Sequence, residues 1–393
     1  MQQAEFRELA ASANLHEIAV LTVARHKPDP KYFIGSGKAE EIRHLVSSKN
    51  VEVVIFDHDL SPAQARNLEE LFKCRVLSRT DLILDIFAQR ARTFEGKLQV
   101  ELAQLQHLST RLIRGWTHLE RQRGGIGLRG PGETQLETDR RLLSERIKTI
   151  NKRLLKVHSQ RDLSRRARKR AFIPTVSFVG YTNAGKSTLF NRLTSEKVFT
   201  ADQLFATLDP TLRQIHLPDI GKVIVADTVG FIRKLPHNLV DAFSATLEET
   251  QQAALLIHII DAASPDRKAL IAAVEQVLTE IDANHVPTLQ VYNKIDLVRG
   301  HKPRIDRNDK GQPIRVWLSA LTGQGLDLLY QALNELLAED LITMELELSA
   351  EQGRLLSQLY AMGAVRWEEP LETGGWRLEI RLPKREYDRL RLQ

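Results

Sequence analysis

The chain has 393 residues, 42% hydrophobic and 27% charged, which is the balance of a globular protein with room for several cored domains. Its single cysteine, Cys74, excludes an internal disulfide framework, and its longest apolar run, Ala253 to Ile260, is broken by His258 and too short to span a bilayer. The net charge of +6 is unevenly spread: Lys97 to Arg170 holds 19 Lys and Arg against 7 Asp and Glu, a net +12 that leaves the remainder at −6.

Such a concentration of positive charge in one stretch predicts contact with a polyanion there. The first residues, Met-Gln-Gln-Ala-Glu-Phe, lack a basic region followed by an apolar one, so no leader is expected and a cytoplasmic location is.

Residues 1–93 read as a small α/β domain. Glu17 to Val23 and Val51 to Phe56 have strand patterns; Lys38 to Val46, Pro62 to Phe72 and Asp81 to Arg92 have helical ones. Phe33-Ile34-Gly35-Ser36-Gly37-Lys38 looks like a phosphate loop without its glycine spacing, and a tight turn into a helix is the favoured reading over a second nucleotide site. Asp57, His58 and Asp59 end a strand and have metal-ligating chemistry, but a solvated loop explains them more simply.

Residues 94–170 read as an antiparallel helical hairpin. Leu98, Leu102, Leu105, Ser109, Leu112, Trp116 and Leu119 step by four and three, as do Leu136, Arg140, Leu143, Ile147, Ile150, Leu154 and Val157. The connection, Glu120 to Gln135, is rich in glycine and carries Arg121, Arg123 and Arg129, whose guanidiniums suit phosphate. At the far end stand Arg161, Arg165, Arg166, Arg168, Lys169 and Arg170, opposed only by Asp162. Nucleic-acid contact is favoured for this segment over a plain basic linker.

Residues 171–340 carry a set of nucleotide motifs on a doubly wound, mostly parallel α/β sheet. The strand Val176 to Val179 leads into Gly180-Tyr181-Thr182-Asn183-Ala184-Gly185-Lys186-Ser187, a Walker A loop opening a helix. Phe205-Ala206-Thr207-Leu208-Asp209 follows in a loop. Asp227-Thr228-Val229-Gly230, Asn293-Lys294-Ile295-Asp296 and Ser319-Ala320-Leu321 each follow an apolar strand, the position at which such sheets bind ligands. Residues 341–393 read as strand, helix, strand, a small α+β domain with a packing role.

Taken in this order the motifs predict a GTP-binding domain. Asp296 then accepts hydrogen bonds from guanine N1–H and the exocyclic amine, a donor pair that adenine lacks. Asn293 and the Ala320 N–H complete the base pocket. Ser187 and Thr207 hold Mg²⁺ with Asp227 behind them, Lys186 stabilises phosphate charge, and the Gly230 N–H senses the γ-phosphate. Residues 205–209 and 227–235 become the two switches.

The whole chain resembles the HflX family of the Obg-HflX translational GTPases. The likeness is carried by Tyr32 to Lys38, Leu84-Asp85-Ile86-Phe87, the loop Gly124 to Glu137, and Phe205 to Thr211. It implies a monomeric, ribosome-associated GTPase with Mg²⁺ as cofactor. Such a protein binds GTP and GDP, engages the large ribosomal subunit and its RNA, and promotes dissociation or rescue of ribosomes, its helical arm entering RNA near the peptidyl-transferase centre. A role in ribosome assembly or RNA remodelling, with binding rather than hydrolysis as the working step, is the alternative. Family members usually start with a further strand and helix, so an N-terminal sheet one strand short, with an open edge, is expected. Phe231 stands where related switches have a water-positioning Gln. Hydrolysis is therefore expected to be slow alone and stimulated by the ribosome, unless another side chain replaces the Gln.

Overall fold

The computed structural model describes residues 2–115, 131–171, 173–194, 204–205, 211–232, 249–338, 341–371, 374–383, 387–388 and 390. These fall into two compact units. The first holds the described residues through Lys156 together with Leu204 and Phe205, and the second holds the others from Val157 onward.

In the first unit, helices α1 (Gln2–Ser12), α2 (Ser36–Lys49), α3 (Pro62–Phe72) and α4 (Arg79–Arg90) surround a two-stranded parallel sheet, β1 (Val53–Ile55) with β2 (Arg75–Leu77). Ser61 and Ser78 start α3 and α4 with reciprocal capping boxes, which satisfy backbone donors that a helix start otherwise leaves open. Glu17 to Val23 corrects the sequence reading: it forms no strand, and Ile18, Val20 and Val23 stand exposed. Alternation makes a strand only where a neighbour supplies the hydrogen-bond ladder, and no strand pairs with this segment among the described residues.

The loop at Gly35 is the tight turn expected. Phe33 and Gly35 take left-handed φ of 65° and 85°, and Lys38 is paired with Glu41 at 2.8 Å. Asp57 is half-buried and His58 and Asp59 are exposed, and they are not gathered with other metal-ligating groups among the described residues. Asp57 accepts from Arg79 Nη1 at 2.6 Å and Asp59 from Thr80 Oγ1 at 2.6 Å, while the other Arg79 arm reaches Glu5 on α1 at 2.6 Å. A buried guanidinium needs such partners, so the two aspartates serve to seat the start of α4.

Helices α5 (Phe94–Gly115) and α6 (Pro131–Arg170) form the expected hairpin arms. Leu98, Leu102, Ile150 and Leu154 make the buried seam, flanked by Leu105 and Ile147. Helix α6 begins at Pro131, inside the stretch read as loop; proline suits a first helical position because it has no N–H to leave unsatisfied. Asp81 in the first turn of α4 anchors α5, accepting from His107 at 3.0 Å and Arg111 at 2.7 Å. Burial pushes this carboxyl up, but His107, Ser78 and Arg111 outweigh it and hold it at about 2. Leu204 and Phe205 are also buried here: the Leu204 N–H donates to Ser12 Oγ at 3.0 Å, and the Phe205 ring stands edge-on to Phe87 at 4.7 Å.

The second unit is built on a seven-stranded sheet. Its strands are β3 (Thr175–Gly180), β4 (Thr211–Leu217), β5 (Gly221–Asp227), β6 (Leu255–Asp261), β7 (Thr288–Asn293), β8 (Arg304–Arg307) and β9 (Pro313–Trp317), in the order β4-β5-β3-β6-β7-β9-β8. The five inner strands are parallel, as expected; β4 and β8 close the edges antiparallel. Helices α7 (Lys186–Thr194), α8 (Arg267–Glu280) and α9 (Leu326–Ala338) accompany the sheet, and Phe178, Phe190, Ile257, Val291 and Leu333 lie in its main core. An antiparallel sheet of β10 (Leu341–Leu348), β12 (Trp376–Pro383) and β11 (Val365–Pro370), packed with α10 (Gly353–Ala361), ends the chain. Strand β11 was not expected from the sequence.

The last turns of α6 also belong to this unit. Here the basic cluster is corrected in part. The Arg165 Nε donates to Glu249 Oε1 at 3.0 Å and Arg168 Nη2 to Glu249 Oε2 at 3.2 Å, with the Glu249 and Arg165 side chains only 5% and 9% exposed. Charges held this way are committed to the fold. Removing one partner strands the others in low dielectric, so Glu249→Ala is expected to cost about 3–5 kcal/mol of stability. Urea unfolding followed by circular dichroism measures it.

Candidate functional site

The carboxyl ends of β3, β5, β7 and β9 converge the motifs. Gly180 is set by packing as well as by its φ of 149°, since a Cβ there would run into the Ile259 carbonyl. Gly185, at φ 92°, leaves no room for a Cβ beside Asn293 Nδ2. The loop between them delivers Lys186 to the start of α7, where the backbone N–H groups and helix dipole favour an anion.

Lys186 is buried, and its ammonium donates to the Gly180 and Tyr181 carbonyls at 3.1 and 2.8 Å. Burial pulls its pKa down to about 8, with the nearby Asp227 charge opposing the shift. His258, buried on β6, is lowered to about 4, first by burial and then by the Lys186 charge, so it is neutral at pH 7. Asp227 is fully buried and accepts from Ser187 Oγ at 2.8 Å. A carboxylate and a hydroxyl side by side, beside a buried lysine, are the hard oxygen donors that a divalent cation prefers. Thr182 Oγ1 is buried and finds no hydrogen-bond partner among the described residues, as expected of a hydroxyl in a loop shaped around something polar.

Gly230 is held to glycine by lack of space. A Cβ there would lie 2.8 Å from Thr182 Cγ2 and 2.9 Å from Lys186 Nζ. Thr228 ties this strand end down by donating to the Phe178 carbonyl. Sequence reasoning missed what Phe231 does. Its backbone clasps the phosphate loop, its N–H donating to Gly180 O at 3.1 Å and its carbonyl accepting from Thr182 N–H at 2.9 Å, with its ring buried.

At the base end, Asn293 is buried and bridges two loops. Its Nδ2 donates to Ala184 O at 2.9 Å and its Oδ1 accepts from the Ala320 N–H at 2.9 Å. Lys294, left-handed at φ 64°, pairs with Asp261 at 2.8 Å. Ile295 is buried, while Asp296 is exposed in a 3-10 turn, a carboxylate facing outward at a strand's end. Ser319 is buried and accepts from the Thr322 N–H at 3.1 Å. Behind this loop pair, Tyr292 and Trp317 stack at 4.2 Å, Arg304 covers Trp317 at 4.2 Å, and Trp317 Nε1 donates to Asp306 at 2.8 Å. Tyr292 precedes Asn293 directly and Trp317 lies two residues before Ser319, so the stack stiffens both strand ends. The role of these rings as a backing plate was not legible in the sequence.

The structure thus brings together Gly180 to Ser187, Asp227 to Phe231, Asn293 to Asp296 and Ser319 to Leu321. Phe205 is instead part of the first unit's packing. Ala206, Thr207, Leu208 and Asp209 lie outside the described residues, as do residues 233–235 of the second switch, and Arg121, Arg123 and Arg129 of the arm. Among the described residues no helix is long and apolar enough to cross a membrane.

Nucleotide binding is expected to depend on pH, with Lys186 at the phosphate loop. Its pKa of about 8 lies below the ordinary 10.5, and phosphate oxygens nearby restore the charged form. GDP binding at pH 9 is therefore expected to take up a proton, and affinity to fall as pH rises above about 8. Titration calorimetry at pH 9 in buffers of different ionisation enthalpy measures the uptake; heats independent of buffer would contradict it.

Comparison with known proteins covers the chain from end to end. Residues 1–88 match a family described as GTP-binding GTPase N-terminal and residues 90–168 its middle region; residues 175–294 match a 50S ribosome-binding GTPase family and 305–393 the HflX C-terminal domain. The GTPase HflX of Escherichia coli is 59% identical over 98% of this chain and 91% of its own, and that of Magnetococcus marinus 45% identical over 92% and 83%. A solved GTP-binding protein from Sulfolobus solfataricus, in complex with GDP, is similar at 25% identity over 86% of this chain and 96% of its own, with a TM-score of 0.45. With sequence likeness of that depth running through all four regions, and the phosphate and base loops folded as one site, the chain belongs to the HflX family of GTPases, enzymes that hydrolyse GTP.

Proposed function

We propose that this GTPase binds the large ribosomal subunit through its helical hairpin and uses GTP to promote dissociation or rescue of ribosomes in the cytoplasm. The carrying observation is the location of charge: net +12 between Lys97 and Arg170 in a chain otherwise at −6. Glu249 occupies part of that charge at one end of α6, which leaves the glycine-rich connection with Arg121, Arg123 and Arg129 as the segment that meets ribosomal RNA. Likeness of residues 175–294 to a 50S ribosome-binding family supports the same partner.

In this reading Asp296 reads guanine, and Mg²⁺ is held by Ser187 and Thr207 with Asp227 behind. The cation would neutralise charge on the β- and γ-phosphates. Phe231 supplies no group to orient water, so turnover by the free protein is slow and the ribosome assists. Measuring GTP turnover with and without purified large subunits tests this: strong stimulation is expected, and equal rates would refute it. Replacing Arg121, Arg123 and Arg129 with alanine should weaken cosedimentation with large subunits and make it less steeply salt-dependent, while sparing GDP affinity.

The buried Phe231 also favours a second reading, in which GTP binding is the working step and hydrolysis only resets the protein. Full subunit dissociation with a non-hydrolysable GTP analogue would select it.

A further inference from the structure

The base loop has a support that none of the motifs contains. Arg192 lies on α7, six residues beyond Lys186, or about 9 Å further along the helix. Its Nε donates to the Ala320 carbonyl at 3.2 Å and its Nη2 to the Leu321 carbonyl at 2.5 Å. Thus one helix carries the phosphate-binding lysine at its start and grips the loop after β9 two turns later.

That grip matters because packing fixes the loop only as far as Ser319 and Ala320, both buried. Leu321 is 67% exposed, so its side chain does little to fix the backbone. The remaining ties are short-range or come from Asn293: Ser319 N–H to Gln324 O, Thr322 N–H to Ser319 Oγ, and Ala320 N–H to Asn293 Oδ1. The last of these spends the Ala320 N–H. The Leu321 N–H, by contrast, donates to no group among the described residues.

A peptide unit is planar, so fixing the Ala320 carbonyl also fixes the Leu321 N–H on its opposite side. A fixed N–H donor there suits the carbonyl oxygen of guanine. Adenine presents an amino donor at the same ring position, and two donors facing each other leave both unpaired. The carbonyl atoms gripped by Arg192 are therefore the handle by which the base-facing side of the loop is aimed.

We propose that Arg192 is the positioning residue for guanine selectivity, orienting the Ser319–Leu321 backbone from the phosphate-loop helix without touching the nucleotide. The proposal rests on GTP binding at this site and adds to it the group that holds the base loop in register. It separates two effects. The base end loses affinity when Arg192 is removed, while the phosphate end, built by Gly180 to Ser187, keeps its chemistry.

The test uses the full chain and the variants R192A, R192Q and R192K. Release of a fluorescent GDP is followed by stopped flow, ADP affinity by competition, and single-turnover hydrolysis at saturating GTP. For R192A, GDP release should speed up about 10-fold, the scale of a charge-assisted hydrogen bond that is partly solvent-screened. Preference for GDP over ADP should narrow by the same factor, and the single-turnover rate constant should change less than about two-fold. R192Q and R192K each keep a donor and should fall between R192A and the parent, and they serve in its place if R192A does not fold. Unchanged GDP release, or GDP and ADP weakened by one common factor, would overturn the assignment. Loss of GTP binding altogether in the parent chain would instead mark failure of the site reading itself.

Discussion

Lys186→Ala is expected to remove the chemical step. The ammonium is buried at the mouth of the phosphate loop, held by two carbonyls and facing Asp227. In the transition state, charge gathers on the γ-phosphoryl oxygens in a site from which water is largely excluded, where a fixed cation counts for far more than in solution. Losing such a contact typically slows the reaction by about 10²–10³-fold, or about 3–4 kcal/mol. Nucleotide affinity falls with it, because ground-state phosphates use the same charge. Single-turnover hydrolysis at saturating GTP, on protein shown by circular dichroism to be folded, is the measurement; a rate within ten-fold of the parent would mean that Lys186 is not the phosphate cation.

The second large effect is at the other end of the nucleotide. Asp296→Ala deletes an exposed carboxylate at the end of β7. Two donors on guanine then face nothing charged, and hydrogen bonds to a charged acceptor contribute about 1.5–3 kcal/mol each. GTP affinity should drop by about 10³-fold while ADP affinity barely moves, so that guanine preference collapses. Competitive titration with GDP and ADP reads both. Preference that survives the substitution would remove Asp296 from the base pocket.

The site was largely legible in the sequence because its chemistry is local. A phosphate loop needs glycines, a lysine and a hydroxyl in consecutive positions, and Gly180 to Ser187 supplies them in one run. The supports were not legible, since each joins residues far apart in the chain. Arg192 meets Ala320 and Leu321 across about the length of a domain, and Arg165 meets Glu249 in the same way. Nothing in a run of arginines says which will be buried on a glutamate.

Strand reading failed where strands are short or at edges. Arg75–Leu77 has three residues, too few for a pattern, and Thr211–Leu217 and Arg304–Arg307 mix polar with apolar residues because one side of an edge strand is unpaired. Glu17 to Val23 failed in the opposite sense, having the pattern without a pairing partner. Phe205 was read only as the start of a switch. Its burial against Phe87 depends on a helix more than a hundred residues earlier in the chain.

Helix α6 has one further implication. Its 40 residues make a rod about 60 Å long, seamed to α5 through Ile150 and Leu154 and clamped near its end by Glu249. A helix of that length depends on an unbroken ladder of backbone hydrogen bonds, and a proline placed in its interior would interrupt it at a cost of about 3 kcal/mol or more.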